Sequence, residues 1–334
     1  MRTDRRSFLA AGGFAMIGLD RVAAAAATSA VRAQAAQGAF PRPSGFARLS
    51  VGDIQGLVLS DGSYRFPQFQ PLFAPEAAPD ELNAVMREGF ADPGHVPSEV
   101  NTLLLRIGGL NVLVDAGFGR HEGVPGGRLL QSLSDAGLRP EDIDAVVITH
   151  AHRDHLWGLA TPDGRPTFPR ARVLMSRREH AFWTEGAPDL APLRVPEEWK
   201  ALWRVRTPMV IAAVKAQLEL IAPGDRPLGD GIELLDTAGH TAGHTSVLVN
   251  GGNESLLVAG DLVHNQVFSL ARPRWTTAFD WDLRRCVEVR LRTLDRAASE
   301  RLRVLAYHLP WPGLGYVARD GAERYRWCSD RWAW

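Results

Sequence analysis

Apolar and polar positions alternate with different periods along this chain. Ala10 to Leu19 is a short apolar run, followed by alanine-rich sequence down to Ala35. The stretch from Phe40 to Pro79 has no sustained period. It crowds Tyr64, Phe66, Phe69 and Phe73 together, which predicts an irregular arm or lid. From Val100 onward, short β-type runs alternate with longer helical stretches, the pattern of a layered α/β domain. Thr102 to Ile107 and Asn111 to Val114 flank Gly108-Gly109 and predict a hairpin. Leu129, Leu130 and Leu133 share a helical face that stops at Gly137. Ala145 to Thr149 and Arg172 to Met175 read as buried strands, and Ser176 to Glu179 as a capping box opening a helix. Ile232 to Asp236, Ser246 to Val249 and Ser255 to Val258 read as further strands, the last two joined by Asn250-Gly251-Gly252-Asn253. A helix with Leu283, Val287, Leu291 and Leu294 inward precedes a last strand, Arg303 to Ala306.

Composition narrows this picture. With 334 residues, 45% hydrophobic and 23% charged, the chain can fill one large core or two moderate ones, and disorder, collagen and coiled coil are excluded. Basic and acidic residues both total 38, so the basic excess of a nucleic-acid binder is missing and a small or neutral substrate is favoured. Cys286 and Cys328 form no CxxC module; they read as buried thiols or one disulfide. Asp4-Arg5-Arg6-Ser7-Phe8-Leu9 ahead of a weakly apolar, glycine-containing run resembles a twin-arginine signal, which exports proteins already folded. On that reading residues 1–35 are the signal, the partner is the twin-arginine export machinery, and the mature protein is periplasmic. Residues 36–99 are the arm leading into the fold, and 100–334 are the main domain. No other apolar segment reaches membrane-spanning length, so no stable membrane insertion is expected.

The chemistry is concentrated in Thr149-His150-Ala151-His152-Arg153-Asp154-His155. Three imidazoles and a carboxylate directly after a strand suit Zn and related ions: His150 and His152 can face one ion while Asp154 and His155 turn toward a second. Three further ligand-type residues stand just past predicted strands: His240, Asp261 and His308. Strand ends on one rim of a sheet converge, so these distant residues can meet. His240 and His244 lie in one loop, and spacing alone does not choose between them.

The order His-x-His-x-Asp-His, Gly-His-Thr-x-Gly-His, Gly-Asp and a late His resembles the metal motifs of the metallo-β-lactamase superfamily. It is most similar to the methyl parathion hydrolase-like and lactonase branch, in which His-Leu-Pro-aromatic-Pro-Gly follows the last ligand, as in His308 to Gly313. The resemblance implies a four-layer αβ/βα sandwich. It implies that His150, His152 and His240 hold one ion, Asp154, His155 and His308 the other, and that Asp261 bridges them. His244 would then orient a ligand through a ring nitrogen, and Asp115 would support the metal loop by hydrogen bonds. Two divalent ions, Zn with Mn, Co or Fe as alternatives, would ionise water that attacks a carbonyl or phosphorus. Asp154 and Asp261 would hold that catalytic geometry.

Substrate choice rests on aromatic residues and on one departure from pattern. Phe66, Phe69, Phe73, Phe118, Trp183 and Trp275 are candidate walls of an apolar pocket, Phe118 and Trp183 because they fall where relatives carry pocket aromatics. His264 stands where acyl-homoserine lactonases often carry a substrate-contacting tyrosine. A small, apolar, neutral lactone, aryl ester or phosphotriester is the expected substrate. Periplasmic β-lactam hydrolysis is the alternative enzyme, and a non-catalytic metal-binding scaffold is the reading from another class. The aromatic arm could pack on a second copy, giving a homodimer. His95, His121 and His180 have no motif around them and read as surface or satisfied histidines.

Overall fold

The computed structural model describes residues 45–66, 69–94, 97–121 and 126–331. The expected signal at 1–35 lies outside the described residues, as does His95. Among the described residues thirteen strands form two sheets. The first runs β1 (Phe46–Val51), β2 (Ile54–Arg65), β3 (Pro97–Ile107), β4 (Leu110–Val114), β5 (Ala145–Ile148), β6 (Arg172–Ser176) and β7 (Leu218–Ile221), in sequence order. It is antiparallel from β1 to β4 and parallel from β4 to β7. The second has the order β13-β12-β11-β10-β9-β8, built from β8 (Ile232–Asp236), β9 (Thr245–Gly251), β10 (Glu254–Val258), β11 (Arg303–Leu305), β12 (Leu314–Arg319) and β13 (Tyr325–Ser329). Only the β10/β11 pair in it is parallel.

The strand alternation sorts side chains into layers. Leu103, Leu105, Val112, Val114 and Val147 meet Leu234, Val247, Val249, Leu256 and Leu305 between the sheets. Their sequence neighbours Leu104, Leu113, Val146 and Ile148 face the opposite way, onto Leu133, Trp157 and Trp203 of the helical layer. On the outer face of the second sheet, Leu257 and Val304 pack on Val289, Leu294 and Ala297 of a long helix. Helix, sheet, sheet and helix therefore stack as the αβ/βα sandwich.

The helices are α1 (Pro79–Glu88), α2 (Leu129–Asp135), α3 (Arg153–Leu156), α4 (Arg177–Thr184), α5 (Glu197–Ala213), α6 (Phe268–Ala271) and α7 (Leu283–Ser299). The Gly108-Gly109 hairpin forms with both glycines at positive φ, as a tight turn between right-twisted strands requires. Leu129 and Leu133 are buried on α2 as expected.

Two expectations need correction. Residues 46–65, read as part of an irregular arm, are β1 and β2 of the first sheet, so the folded domain begins well before 100. The pattern was hidden because β2 carries a bulge between Ser60 and Gly62, which breaks the alternation and turns Asp61 inward. There Asp61 accepts N–H bonds from Phe118, Gly127 and Leu129 at 2.8, 3.1 and 2.7 Å, anchoring the loop after β4. Burial outweighs those bonds and raises its pKa to about 6. On α7 the inward face is Cys286, Val289, Arg290, Thr293, Leu294 and Ala297, with Leu283 exposed. The apolar stripe misplaces that face because Arg290 is buried and satisfied by the carbonyls of Leu262, Pro273 and Trp275. Cys286 and Cys328 are both free. Among the described residues no helix is long and apolar enough to cross a membrane.

Candidate metal centre

The ligand-type residues all follow strands that end on one rim. His150 stands two positions past β5, His152 is the residue before α3, and Asp154 and His155 lie on that single turn. His240 lies in the β8–β9 connection, Asp261 beyond β10 and His308 beyond β11. The fold brings all seven together. His150, His152, His240 and Asp261 form one group and Asp154, His155 and His308 another, the candidate ligand atoms within each lying no more than 4.8 Å apart.

Asp261 faces both groups. Its Oδ2 lies 3.2 Å from His240 Nε2 and 3.6 Å from His150 Nε2. Its Oδ1 lies 3.0 Å from His155 Nε2 and 3.2 Å from His308 Nε2. Asp154 Oδ2 is 3.5 Å from His308 Nε2 and 3.8 Å from His155 Nε2, closing the second group. His152 enters through Nδ1, 2.9 Å from His240 Nε2.

The outward nitrogens are bonded elsewhere. His155 Nδ1–H donates to Asp115 at 2.8 Å, His240 Nδ1–H to Asp280 at 2.7 Å, and His308 Nδ1–H to the Glu99 carbonyl at 2.8 Å. His150 Nδ1 lies 3.1 Å from Thr149 Oγ1, whose hydroxyl donates to Asp115 at 2.8 Å. Spending each Nδ1–H outward leaves Nε2 as an inward lone pair, the tautomer a metal needs. Buried His150 Nε2, His155 Nε2 and Asp261 Oδ1 have no hydrogen-bond partner. Orphaned buried polar atoms are costly, and a cation would satisfy these. Imidazole and carboxylate donors fit Zn, Mn, Co or Fe, so the residues present fit the ions.

Burial and the neighbouring carboxylates pull these imidazoles in opposite directions. Burial pushes His240 down, but Asp261 and Asp280 outweigh it and raise its pKa to about 9. His155 and His308 rise for the same reason, burial being outweighed by Asp261 and its neighbours. Burial dominates at His150 and His152, which fall well below the usual imidazole range. Burial also opposes ionisation of Asp261, yet the surrounding His308, His155 and His150 hold it well below the carboxylate range.

The supporting residues fall partly where expected. Asp115, at φ 64, also accepts the Thr149 N–H at 2.8 Å, fixing the start of the metal loop. His244 is outside both groups: its Nε2 accepts the Asp261 N–H at 3.1 Å, and its Nδ1 sits 2.8 Å from Thr237 Oγ1. Burial beside His240 lowers its pKa to about 3, which keeps Nε2 an acceptor. His240 is thus the inward residue of the pair. Sequence reasoning missed two acids. Asp280 sits in no motif. Glu179, read only as a cap, turns inward and accepts from Ala151 N–H, Trp183 Nε1–H, Thr241 Oγ1–H and Gly243 N–H at 3.0, 3.1, 2.7 and 2.7 Å. It ties the 150–155 loop to the 240–244 loop.

A cleft opens over the cluster, its aromatic wall formed by Tyr64, Phe66, Phe73, Phe118, Trp203 and Phe279. Phe118 and His264 both line this cleft. His264 Nε2 lies 3.3 Å from Asp261 Oδ2 and its ring stacks on His308, 5.4 Å between centroids. Trp183 is not in the cleft: it is buried behind the loops and bound to Glu179, because α4 directs it into the helical layer. Trp275 is also absent from the cleft, and Phe69 stands behind Phe73 at 5.0 Å. His121 is buried and bonds the Trp157 carbonyl through Nε2 at 3.0 Å while its Nδ1 has no partner among the described residues, and His180 bonds Thr184.

Residues 95–298 match the metallo-β-lactamase superfamily. The chain belongs to that superfamily. It is 29% identical over 186 residues to metallo-β-lactamase domain-containing protein 1 of Xenopus laevis, covering 54% of this chain and 63% of the relative. It is 26% identical over 176 residues to a probable metallo-hydrolase of Mycobacterium tuberculosis, covering 46% and 54%. The matches thus span between half and two thirds of those relatives. Among solved structures it is similar to AidC, a dizinc quorum-quenching lactonase, with TM-score 0.79 and 27% identity over 86% of this chain and 98% of that one. It is also similar to AbOPH, a hydrolase of the β-lactamase superfamily, with TM-score 0.78 and 29% identity over 88% and 100%. This chain carries the His and Asp cluster described above at the sheet rim.

Proposed function

We propose that the protein is a dinuclear hydrolase of lactones, aryl esters or phosphotriesters, in the lactonase and methyl parathion hydrolase-like branch. One observation carries this: Asp261 lies between two groups of imidazoles, Oδ2 3.2 Å from His240 Nε2, Oδ1 3.0 Å from His155 Nε2, and His308 Nε2 at 3.2 and 3.3 Å from the two oxygens. The likeness to a dizinc lactonase over most of both chains supports it. When bound, two divalent ions would bring the pKa of water toward about 7 and polarise the scissile carbonyl or phosphoryl group. The chain's own residues supply the rest. Asp261 sets the separation of the two groups. The Tyr307 hydroxyl donates to the Asp154 carbonyl at 2.7 Å and its ring stacks on His155 at 3.9 Å, fixing the second group. The aromatic wall keeps bulk water from an apolar acyl or aryl body, and His264 stands beside Asp261 to contact the substrate. The arginine pair near the N-terminus supports export to the periplasm as a folded, metal-loaded protein.

The test is a panel of p-nitrophenyl esters, aryl lactones, acyl-homoserine lactones, methyl parathion and nitrocefin with protein reconstituted in Zn, Mn or Co. Metal-dependent turnover of a lactone or ester is expected. Binding of fewer than two ions, or turnover of nitrocefin alone, would overturn the reading.

A further inference from the structure

Arg153 stands between His152 and Asp154 in the metal loop and lines the cleft. Its guanidinium carbon lies 4.9, 5.3 and 5.6 Å from the ring centres of Trp199, Tyr64 and Phe118. Three rings from three elements, β2, the loop after β4, and α5, hold this one cation. Such contacts restrain a guanidinium without using its N–H groups. No carboxylate or other hydrogen-bond acceptor among the described residues engages it, although it is half-buried. Several exposed arginines pair with acids, as in Arg274 with Glu323 and Arg172 with Glu219. Arg153 is thus a guanidinium held by three rings, with no protein acceptor among the described residues, lining the cleft beside His152 and Asp154.

The geometry points to Arg153 as a specificity-determining residue that selects substrates carrying a carboxylate or similar anionic group on the acyl portion. This rests on the hydrolase reading above and deepens it. The aromatic walls accommodate an apolar body, while the guanidinium adds a site for an anionic end, which planar N–H pairs bind in bidentate fashion.

The experiment compares p-nitrophenyl hemiglutarate with its neutral methyl ester on the metal-loaded full-length enzyme, for the wild type, Arg153→Gln and Arg153→Lys. The wild type should have the higher kcat/KM on the charged ester. Arg153→Gln should lose about 10- to 100-fold on the charged ester and only a few-fold on the neutral one. Arg153→Lys, which keeps the charge without the planar fork, should fall between. An equal loss on both esters, or a wild-type preference for the methyl ester, overturns the proposal. Calorimetric binding of glutarate against butyrate gives a readout independent of turnover, and Arg153→Gln should weaken glutarate binding selectively. Absence of turnover with Arg153-dependent glutarate binding would sink the hydrolase reading and spare this one; absence of both would sink both.

Discussion

Replacing Glu179 by Gln should destabilise the protein although the two side chains are nearly the same size. The carboxylate accepts four bonds, two on each oxygen: Ala151 N–H and Trp183 Nε1–H on Oε1, and Thr241 Oγ1–H and Gly243 N–H on Oε2. A glutamine offers one acceptor oxygen and an NH2 group. If the NH2 faces Thr241, that hydroxyl can rotate and accept, but Gly243 N–H is left facing a donor. If it faces Ala151, two N–H groups are orphaned. The cheaper orientation leaves one buried donor unsatisfied, about 1–3 kcal/mol, and weakens the bonds that were charge-assisted. At roughly 2.1 cal/mol/K per residue over about 290 folded residues, such a loss corresponds to a fall in Tm of about 2–5 °C. Calorimetry on metal-loaded protein would measure it, and chelator competition should show weaker metal binding because both ligand loops shift. A Tm and a metal affinity unchanged from wild type would mean that Glu179 does not tie the loops together.

Asp261→Ala should reduce metal content by at least one ion per chain and hydrolysis by about 10³-fold or more, with the circular dichroism spectrum preserved; wild-type turnover would refute the dinuclear scheme. In the metal-free protein, His240 has a folded pKa of about 9, above the unfolded imidazole value, so its stabilising contribution is complete below about pH 6.5 and lost as pH rises toward 9. Titration of metal-free protein by urea unfolding across that window should show this decline. Metal binding must displace the same proton, so adding Zn at pH 7–8 in weak buffer should release protons, and a proton-neutral titration would contradict the assignment. Cys328 is half-buried and Cys286 fully buried, so a thiol reagent should modify one cysteine in the native protein and both in denaturant; fast modification of both natively would show that α7 is not packed as described.

The sequence by itself determined the ligand types and their order. Imidazole and carboxylate chemistry is a property of the residues, and His150 to His155 are placed by one short stretch of chain, so their convergence needed no long-range information. The Gly108-Gly109 hairpin and the strand preceding each ligand were legible for the same reason, since local alternation and turn chemistry suffice. Only the tertiary structure decided which imidazoles face inward. His240 and His244 sit in one loop, and the β8–β9 connection turns the first toward Asp261 Oδ2 and the second beneath the Asp261 main chain. It also decided that β1 and β2 belong to the sheet, because the β1/β2 hairpin joins it only where β2 pairs with the later strand β3, and a bulge obscures the period. Asp280, Glu179 and Arg153 were illegible as supporting or selecting residues. Their roles come mostly from groups far away in sequence, and a buried charge is defined by the partners that satisfy it, not by its neighbours along the chain.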